Sequence, residues 1–230
     1  MRWLFISSGG VLVRDILIAS GSGVILGIIF YFLAVYQVSV RAQFTEKDVV
    51  KKIKNAKWLV VWIAILTTLY IIISFSNIDI WDKMMFGLII AMALNISAVD
   101  IALRKIPNVL LLGMILLKIA DFVIKHKYAN TNGVQAFFLA LVSMIAVYIL
   151  CTLPSIVGIS MGAGDIKYCS VLGFVFGIVN FALAMLTMSI LLMLYWVYLK
   201  KTKKGNMKTS APMGPFLSAG VMLIIATILF

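Results

Sequence analysis

Long apolar runs alternate with short polar segments along this chain. Each run is about twenty residues long, which is the length that an α-helix needs to cross the roughly 30 Å hydrocarbon core of a bilayer. The runs are continuous rather than alternating, which favours helices over the strands of a membrane β-barrel. The pattern predicts an all-α, polytopic transmembrane helical bundle with about eight spans. The single-helix spans are predicted at about 16–36, 58–75, 84–103, 109–124, 134–159 and from about 216 to 230.

The stretch from Asp165 to Leu199 is too long for one crossing. As one helix of about 35 residues it would extend over about 50 Å, at a rise of 1.5 Å per residue. We therefore predict two helices with a break near Gly173 to Asn180, where Gly177 and Asn180 are the candidate breakers. In the fifth span, Pro154 and Gly158 predict an end or a kink.

Small residues in the first span point to close helix packing. Gly23 and Gly27 stand four residues apart in an uncharged run. This spacing puts them on one face of a helix, where another backbone can approach closely.

The composition agrees with a membrane protein and not with a nucleic-acid-binding one. The chain is 63% hydrophobic and 12% charged, with a formal net charge of +12. The basic residues cluster in short loops between the apolar runs, a pattern typical of topology determinants and of contacts with anionic lipids. We therefore expect the lipid bilayer as a partner and no nucleic acid.

The distribution of Lys and Arg also predicts the orientation of the chain. Span parity puts the loops 37–57, 104–108, 160–167 and 200–213 on one side, and these carry most of the basic residues. The positive-inside rule makes that side cytoplasmic, with both termini outside. Segment 37–57 is either an amphipathic helix on the membrane surface or a solvated loop. Residues 1–83 are predicted to form two transmembrane helices with this basic loop, and residues 84–230 a six-helix core.

The cysteines indicate neither a metal site nor a disulfide framework. Cys151 and Cys169 lie in or beside apolar runs, and no CxxC is present. Both are expected to be small buried side chains. We expect no metal and no cofactor.

Two acidic residues stand at the ends of apolar runs. Asp100 ends one run, and Asp165 follows Gly162-Ala163-Gly164 at the start of another. Ionisable groups at such positions are costly and are usually kept for function. Two carboxyl groups that share one proton can activate a water molecule for peptide hydrolysis, one as general base and the other as hydrogen-bond donor to the scissile carbonyl. Gly162 and Gly164 can adopt backbone angles closed to other residues and let another backbone approach.

Each acid also has a structural interpretation. Asp165 could be the N-cap of a helix. Asp100 stands four residues before Arg104 and could form a salt bridge with it. Lys118 and Asp121 are a second ionisable pair, three residues apart on one helix face, and are expected to neutralise each other.

Three segments resemble those of type IV prepilin peptidases. Asp100 followed by Ile106-Pro107-Asn108 resembles their D-x-x-x-x-x-I-P-N element, and Gly162 to Lys167 resembles their G-x-G-D-x-K element. Pro212 to Leu217 is similar to their P-x-G-P-F-L segment before the final helix. The segments occur in family order, and the resemblance covers about residues 84–230.

The resemblance implies a GxGD aspartyl membrane protease with Asp100 and Asp165 as the catalytic pair. Its substrates would be prepilins or pseudopilins, which have a short basic leader, a Gly before the cut and an apolar helix after it. Cleavage would occur at the cytoplasmic face of the plasma membrane. The resemblance also implies substrate-binding or structural roles for Gly162, Gly164, Lys167, Arg104, Lys105, Pro107, Asn108, Pro212, Gly214 and Pro215.

The chain departs from the larger bacterial members of that family. They carry a cytoplasmic domain with two CxxC pairs and also N-methylate the new terminus, whereas this chain has a short basic segment at 37–57. N-methyltransferase activity is therefore in doubt. Two alternatives remain open from the residues alone: a small ion-coupled transporter and a non-catalytic membrane protein of pilus assembly.

Overall fold

The structure, a computed structural model, describes residues 4–42, 56–128, 132–156, 161–202 and 212–229. Within these ranges the chain is helical and contains no strand, which confirms the predicted all-α class. The helices are α1 (Leu4–Ala42), α2 (Ala56–Ser74), α3 (Ile80–Leu103), α4 (Asn108–Tyr128), α5 (Gly133–Ile156), α6 (Ala163–Lys201) and α7 (Met213–Leu229).

Five stretches of helix are long and apolar enough to cross a membrane, as expected of a multi-pass membrane protein. The α4 helix falls outside this group because Lys118, Asp121, Lys125 and Lys127 lower its apolar character. The α7 helix is apolar but has only 17 residues. The count of eight crossings therefore stays a prediction. The five stretches are Ile16–Ala42, Ala56–Ser74, Ile80–Leu103, Gly133–Pro154 and Ala163–Lys201.

The first helix is longer than its apolar run. It continues to Ala42, so the polar segment predicted from residue 37 begins inside α1. Gln37 is buried there, and the Arg41 guanidinium donates hydrogen bonds to the Gln37 side chain and to the Gln37 carbonyl, the latter at 3.3 Å. The choice between a surface helix and a solvated loop falls on residues 43–55, which lie outside the described residues.

One compact unit comprises Met1–Ala91 with Leu229–Phe230. In it, α1 packs on α2 through the two small residues that the sequence singled out. A Cβ atom added at Gly23 would lie 2.6 Å from the Thr67 Cα, and one added at Gly27 would lie 2.8 Å from the Ile63 Cα. No side chain larger than hydrogen fits these contacts, so the predicted close packing is confirmed.

The other compact unit comprises Met92–Ile228. It contains the second half of α3 and the helices α4 to α6, with all but the last residue of α7. Its fully buried side chains include Met114, Tyr168, Leu172, Phe174 and Leu217. The domain boundary predicted between residues 83 and 84 stays a prediction.

The break predicted in the stretch from Asp165 to Leu199 is confirmed at Gly177. Its φ of 80° and ψ of 167° interrupt α6. This backbone conformation is essentially limited to glycine. The Asn180 side-chain amide donates a hydrogen bond to the Phe176 carbonyl at 3.0 Å. Asn180 thus supplies a donor to a carbonyl beside the break, where the regular helical ladder is interrupted.

The remaining structural expectations have mixed outcomes. Pro154 lies inside α5, which ends two residues later at Ile156, whereas Gly158 lies outside the described residues. Cys151 and Cys169 are free and buried, as expected.

Candidate active site

Asp100 lies in the last turn of α3 and is buried, with 5% of its surface exposed. Its Oδ2 accepts a hydrogen bond of 2.8 Å from the backbone N–H of Gly214, at the start of α7. Burying a carboxylate is costly unless it is hydrogen-bonded, and a backbone N–H is a fixed donor with no side-chain freedom to lose. The hydrogen bond therefore holds this carboxyl group in one orientation.

Asp165 is the third residue of α6 and is half-buried. The N-cap of this helix is Gly162, which makes no side-chain cap, and the Ile166 N–H donates to the Gly162 carbonyl at 3.1 Å. The interpretation of Asp165 as an N-cap is therefore wrong. Its carboxyl group lies in the first turn of the helix and does not cap the helix N-terminus.

The two acids belong to the same compact unit and lie within electrostatic reach of each other. The negative charge of Asp100 acts on the carboxyl group of Asp165. One acid comes from the C-terminal end of α3 and the other from the N-terminal end of α6. Two like charges in a partly buried setting do not both ionise readily, so the pair can hold one proton between them.

The glycines beside Asp165 are needed for space and not for unusual backbone angles. Gly162 has φ −59° and ψ 135°, which any residue can adopt, and among the described residues only Arg104 and Gly177 have positive φ. That part of the expectation is wrong. A Cβ atom at Gly162 would lie 2.7 Å from the Asp165 Oδ2, and one at Gly164 would lie 3.3 Å from the Ile106 Cβ. Both neighbours are side-chain atoms, so these glycines make room for side chains and the expected approach of another backbone is not seen at either of them.

The Ile-Pro-Asn segment connects α3 to α4 and meets the glycine-rich turn. Ile106 is the neighbour of Gly164. Pro107 is buried, and its carbonyl accepts hydrogen bonds from the N–H groups of Leu110 at 3.1 Å and Leu111 at 3.4 Å. Asn108 is the exposed first residue of α4. The chain after Asp100 thus packs against the turn before Asp165.

The three basic residues to which the resemblance assigns roles, Arg104, Lys105 and Lys167, are exposed. The Arg104 backbone N–H donates to the Asp100 carbonyl at 2.8 Å, and its φ is 52°. No ion pair between Arg104 and Asp100 occurs in the part of the chain that the structure describes. The charge of Arg104 nevertheless acts on the Asp100 carboxyl group, so the predicted pairing is electrostatic and is not a direct salt bridge.

The last predicted segment places Gly214 directly against Asp100. A Cβ atom at Gly214 would lie 2.9 Å from both the Cβ and the Oδ2 of Asp100. Pro212 immediately precedes α7, and Pro215 is its third residue. Both prolines are partly exposed. The absence of a side chain at Gly214 lets its N–H reach the carboxyl group.

The competing ionisable pair forms a structural cluster on α4. Lys118 Nζ lies 2.9 Å from Asp121 Oδ2, which confirms the expected neutralisation. Lys125 adds a second ion pair, with its Nζ 3.2 Å from Asp121 Oδ1. Asp121 is thus held between two lysines of its own helix.

Sequence reasoning did not identify the Gly214 N–H as the hydrogen-bond donor to Asp100. It also did not single out two buried polar residues on the helices that carry the site. Tyr168 and Ser218 are buried and hydrogen-bonded to each other at 2.9 Å. The spacing in the sequence could have identified them, because Tyr168 lies one helical turn after Asp165 and Ser218 lies one turn after Gly214. In the described ranges, no group of three or more His, Cys, Asp or Glu residues is placed to hold a metal ion.

Residues 87–197 match the model of a protein family described as the type IV leader peptidase family. The matched region includes Asp100, Asp165 and the segments around them. Neither the curated proteins nor the solved structures gave a match to this chain.

Proposed function

From the match of residues 87–197 to the type IV leader peptidase family, we propose that the chain is a member of that family and a membrane-embedded aspartic endopeptidase that removes the leader of prepilin-like proteins. Asp100 and Asp165 are its catalytic residues. The observation that carries the proposal is their arrangement: Ile106, in the segment after Asp100, packs against Gly164 in the turn before Asp165, and each acid has a glycine against its carboxyl group.

The first chemical step is the attack of water on the scissile carbonyl carbon. The ionised carboxyl group of the pair takes a proton from the water as its oxygen bonds to carbon. The protonated carboxyl group gives its proton to the carbonyl oxygen, which would otherwise gain negative charge. The product is a neutral tetrahedral diol, and the pair still holds one proton.

The second step breaks the bond between carbon and nitrogen. The protonated carboxyl group gives its proton to the leaving nitrogen, and the ionised one takes a proton from a hydroxyl of the diol. The leader leaves with a new carboxyl terminus, and the mature protein has a new amino terminus. The pair returns to its starting state with one proton, so no further reactant is consumed.

The fixed orientation of Asp100 supports this scheme. Catalysis by a positioned group depends on its holding a productive geometry. The Gly214 N–H anchors one oxygen of Asp100 from a different helix. In the described residues, no hydrogen bond of this kind holds the Asp165 carboxyl group, so it can turn toward a water molecule or a substrate.

The substrate is proposed to enter from the bilayer. Its apolar helix stays in the membrane, and its short basic leader reaches the cytoplasmic face, where the positive-inside rule puts both acids. The scissile bond after the glycine then lies at the height of the pair. The negative charge of the pair attracts the basic leader.

The test uses the full chain, purified in detergent and returned to lipid vesicles. The substrate is a prepilin-like protein with a basic leader, a glycine and an apolar helix. Asp100→Asn and Asp165→Asn keep the size of each side chain and remove the acid. Each is expected to lower cleavage by at least about 100-fold, the contribution typical of a general acid or base. Asp79→Asn, at an exposed position before α3, is the control and is expected to cleave at the wild-type rate.

The outcomes separate this function from the alternatives. Full cleavage by either Asn variant, with Asp79→Asn active, overturns the aspartic mechanism. A wild-type protein that inserts but cleaves no prepilin-like substrate overturns the peptidase. A scaffold of pilus assembly tolerates both variants in an assembly assay, and a transporter moves ions across the vesicle membrane.

A further inference from the structure

A network of buried hydrogen bonds joins the three helices α3, α6 and α7 close to the two acids. The Tyr168 hydroxyl of α6 and the Ser218 hydroxyl of α7 are 2.9 Å apart, and Ser218 donates to the Ala93 carbonyl of α3 at 2.9 Å. A serine hydroxyl has one proton. Because Ser218 gives that proton to Ala93, the Tyr168 hydroxyl is the donor in the other bond.

The three residues of this network lie one or two helical turns from the site residue on the same helix. Tyr168 follows Asp165 by one helical turn on α6, and Ser218 follows Gly214 by one turn on α7. Ala93 precedes Asp100 by about two turns of α3, at 3.6 residues per turn. Each of the three helices that carry part of the site therefore contributes one residue to this network.

We propose that Tyr168 and Ser218 are positioning residues for the catalytic pair. They hold α6 and α7 to α3, so that Asp165 and the Gly214 N–H both face Asp100. This inference rests on the proposed peptidase function. The hydrogen bonds of both hydroxyls go to each other and to Ala93 and not to a carboxyl oxygen of the pair, so the two residues act through the helices that carry Asp165 and Gly214.

The burial of both hydroxyls makes the link effective. Tyr168 is 0% exposed and Ser218 is 1% exposed. Both residues are closed to bulk water, and the Tyr168 hydroxyl has Ser218 as its acceptor. The Ala93 carbonyl, by contrast, also accepts a hydrogen bond from Ser97 of its own helix at 2.9 Å.

This second hydroxyl supplies a matched control. Ser97 is buried and bonds the same Ala93 carbonyl as Ser218 does, but it joins no second helix. Ser97→Ala therefore removes a buried hydroxyl without loosening the three helices. Tyr168→Phe removes only the bond between α6 and α7, and Ser218→Ala removes both links of α7.

The experiment measures kcat and KM of the full chain in vesicles with the prepilin-like substrate. A displacement of about 1 Å in a catalytic group can cost about 100-fold in rate. We expect Ser218→Ala to lower kcat by about 10- to 100-fold and Tyr168→Phe by a smaller factor, with KM within about twofold in both. Ser97→Ala keeps the wild-type kcat.

A second readout separates positioning from simple loss of folded protein. Two interacting carboxyl groups titrate as a coupled pair, and their interaction spreads the two limbs of the pH–activity profile. The interaction between the carboxyl groups weakens if the helices move apart. Tyr168→Phe is therefore expected to narrow the pH range between the two limbs of the activity profile. A fall in the folded fraction lowers the whole profile and leaves its width unchanged.

The result that overturns the inference differs from the one that overturns the peptidase. If the wild-type protein cleaves and Tyr168→Phe matches Ser97→Ala in kcat and in profile width, these residues do not position the pair. If the wild-type protein cleaves no substrate, the proposed function itself fails. Tyr168→Phe keeps the aromatic ring, so it tests the inference even if Ser218→Ala does not fold.

Discussion

The Gly214 backbone N–H donates a 2.8 Å hydrogen bond to Asp100 Oδ2 across 114 residues of sequence. A segment near the end of the chain thereby fixes the orientation of an acid in the last turn of α3. The donor is a main-chain group, so any substitution at position 214 other than proline leaves the N–H itself in place. Substitution acts instead through the space that the glycine leaves open.

Gly214→Ala is expected to lower cleavage strongly. The added Cβ lies 2.9 Å from Asp100 Oδ2, so the carboxyl group must move and its hydrogen bond is lost. Hydrogen bonds to charged groups contribute about 1.5–3 kcal/mol, which corresponds to about 10- to 100-fold in rate. The measurement is kcat/KM in vesicles. Gly21→Ala, where an added Cβ meets nothing within 4 Å, is the control, and equal activity of the two variants would contradict the prediction.

Gly162→Ala is expected to impair catalysis without a comparable loss of stability. The added Cβ lies 2.7 Å from Asp165 Oδ2 and turns that carboxyl group away. Gly162 is exposed and has angles open to alanine, so folding is little affected. We expect about 10-fold lower kcat, since small displacements of a catalytic group are costly.

Two comparisons sharpen the Gly162 prediction. Ala163→Ser changes the exposed neighbouring residue and is expected to leave kcat unchanged. Gly164→Ala meets Ile106 at 3.3 Å, a looser contact, and is expected to have a smaller effect. A larger loss of kcat in Gly164→Ala than in Gly162→Ala would contradict the prediction. It would show that the space at Gly162 is not what keeps the Asp165 carboxyl group in its catalytic position.

Arg104→Gly is expected to stabilise the fold. Arg104 has φ 52°, a left-handed conformation just after the end of α3. That conformation costs about 1 kcal/mol or more for residues with a Cβ atom. Removing the Cβ relieves the cost, and thermal unfolding in detergent should show a higher midpoint. Lys105→Gly, at a residue without positive φ, is expected to lower the midpoint. A lower midpoint for Arg104→Gly would refute the assigned strain.

Gly177→Ala is expected to destabilise the protein by about 1–3 kcal/mol, the cost typical of a residue held in a sparsely populated conformation. The position is open, with nothing within 4 Å of an added Cβ, so the effect comes from the backbone alone. Gly177→Asn should not rescue the loss, because asparagine tolerates the left-handed helical region and not a ψ of 167°. Unfolding midpoints of both variants check this, and an unchanged midpoint in either one would exclude a backbone constraint.

Much of the fold was predictable because its signals are local. The break at Gly177 followed from helix rise and bilayer thickness, and the glycines at 23 and 27 followed from helical spacing. The limits of α1 were less predictable, because helix formation continues past the apolar run to Ala42.

The sequence alone determined the membrane class, the helical segments and the choice of Asp100 and Asp165 as the acids of interest. Charge and hydropathy are properties of each segment and need no partner. Only the tertiary structure decided what surrounds those acids. These contacts join residues far apart in the sequence: the Gly214 donor with Asp100, Ile106 with Gly164, and Tyr168 through Ser218 with Ala93. Such contacts depend on how helices pack, and local patterns do not specify which atoms then meet.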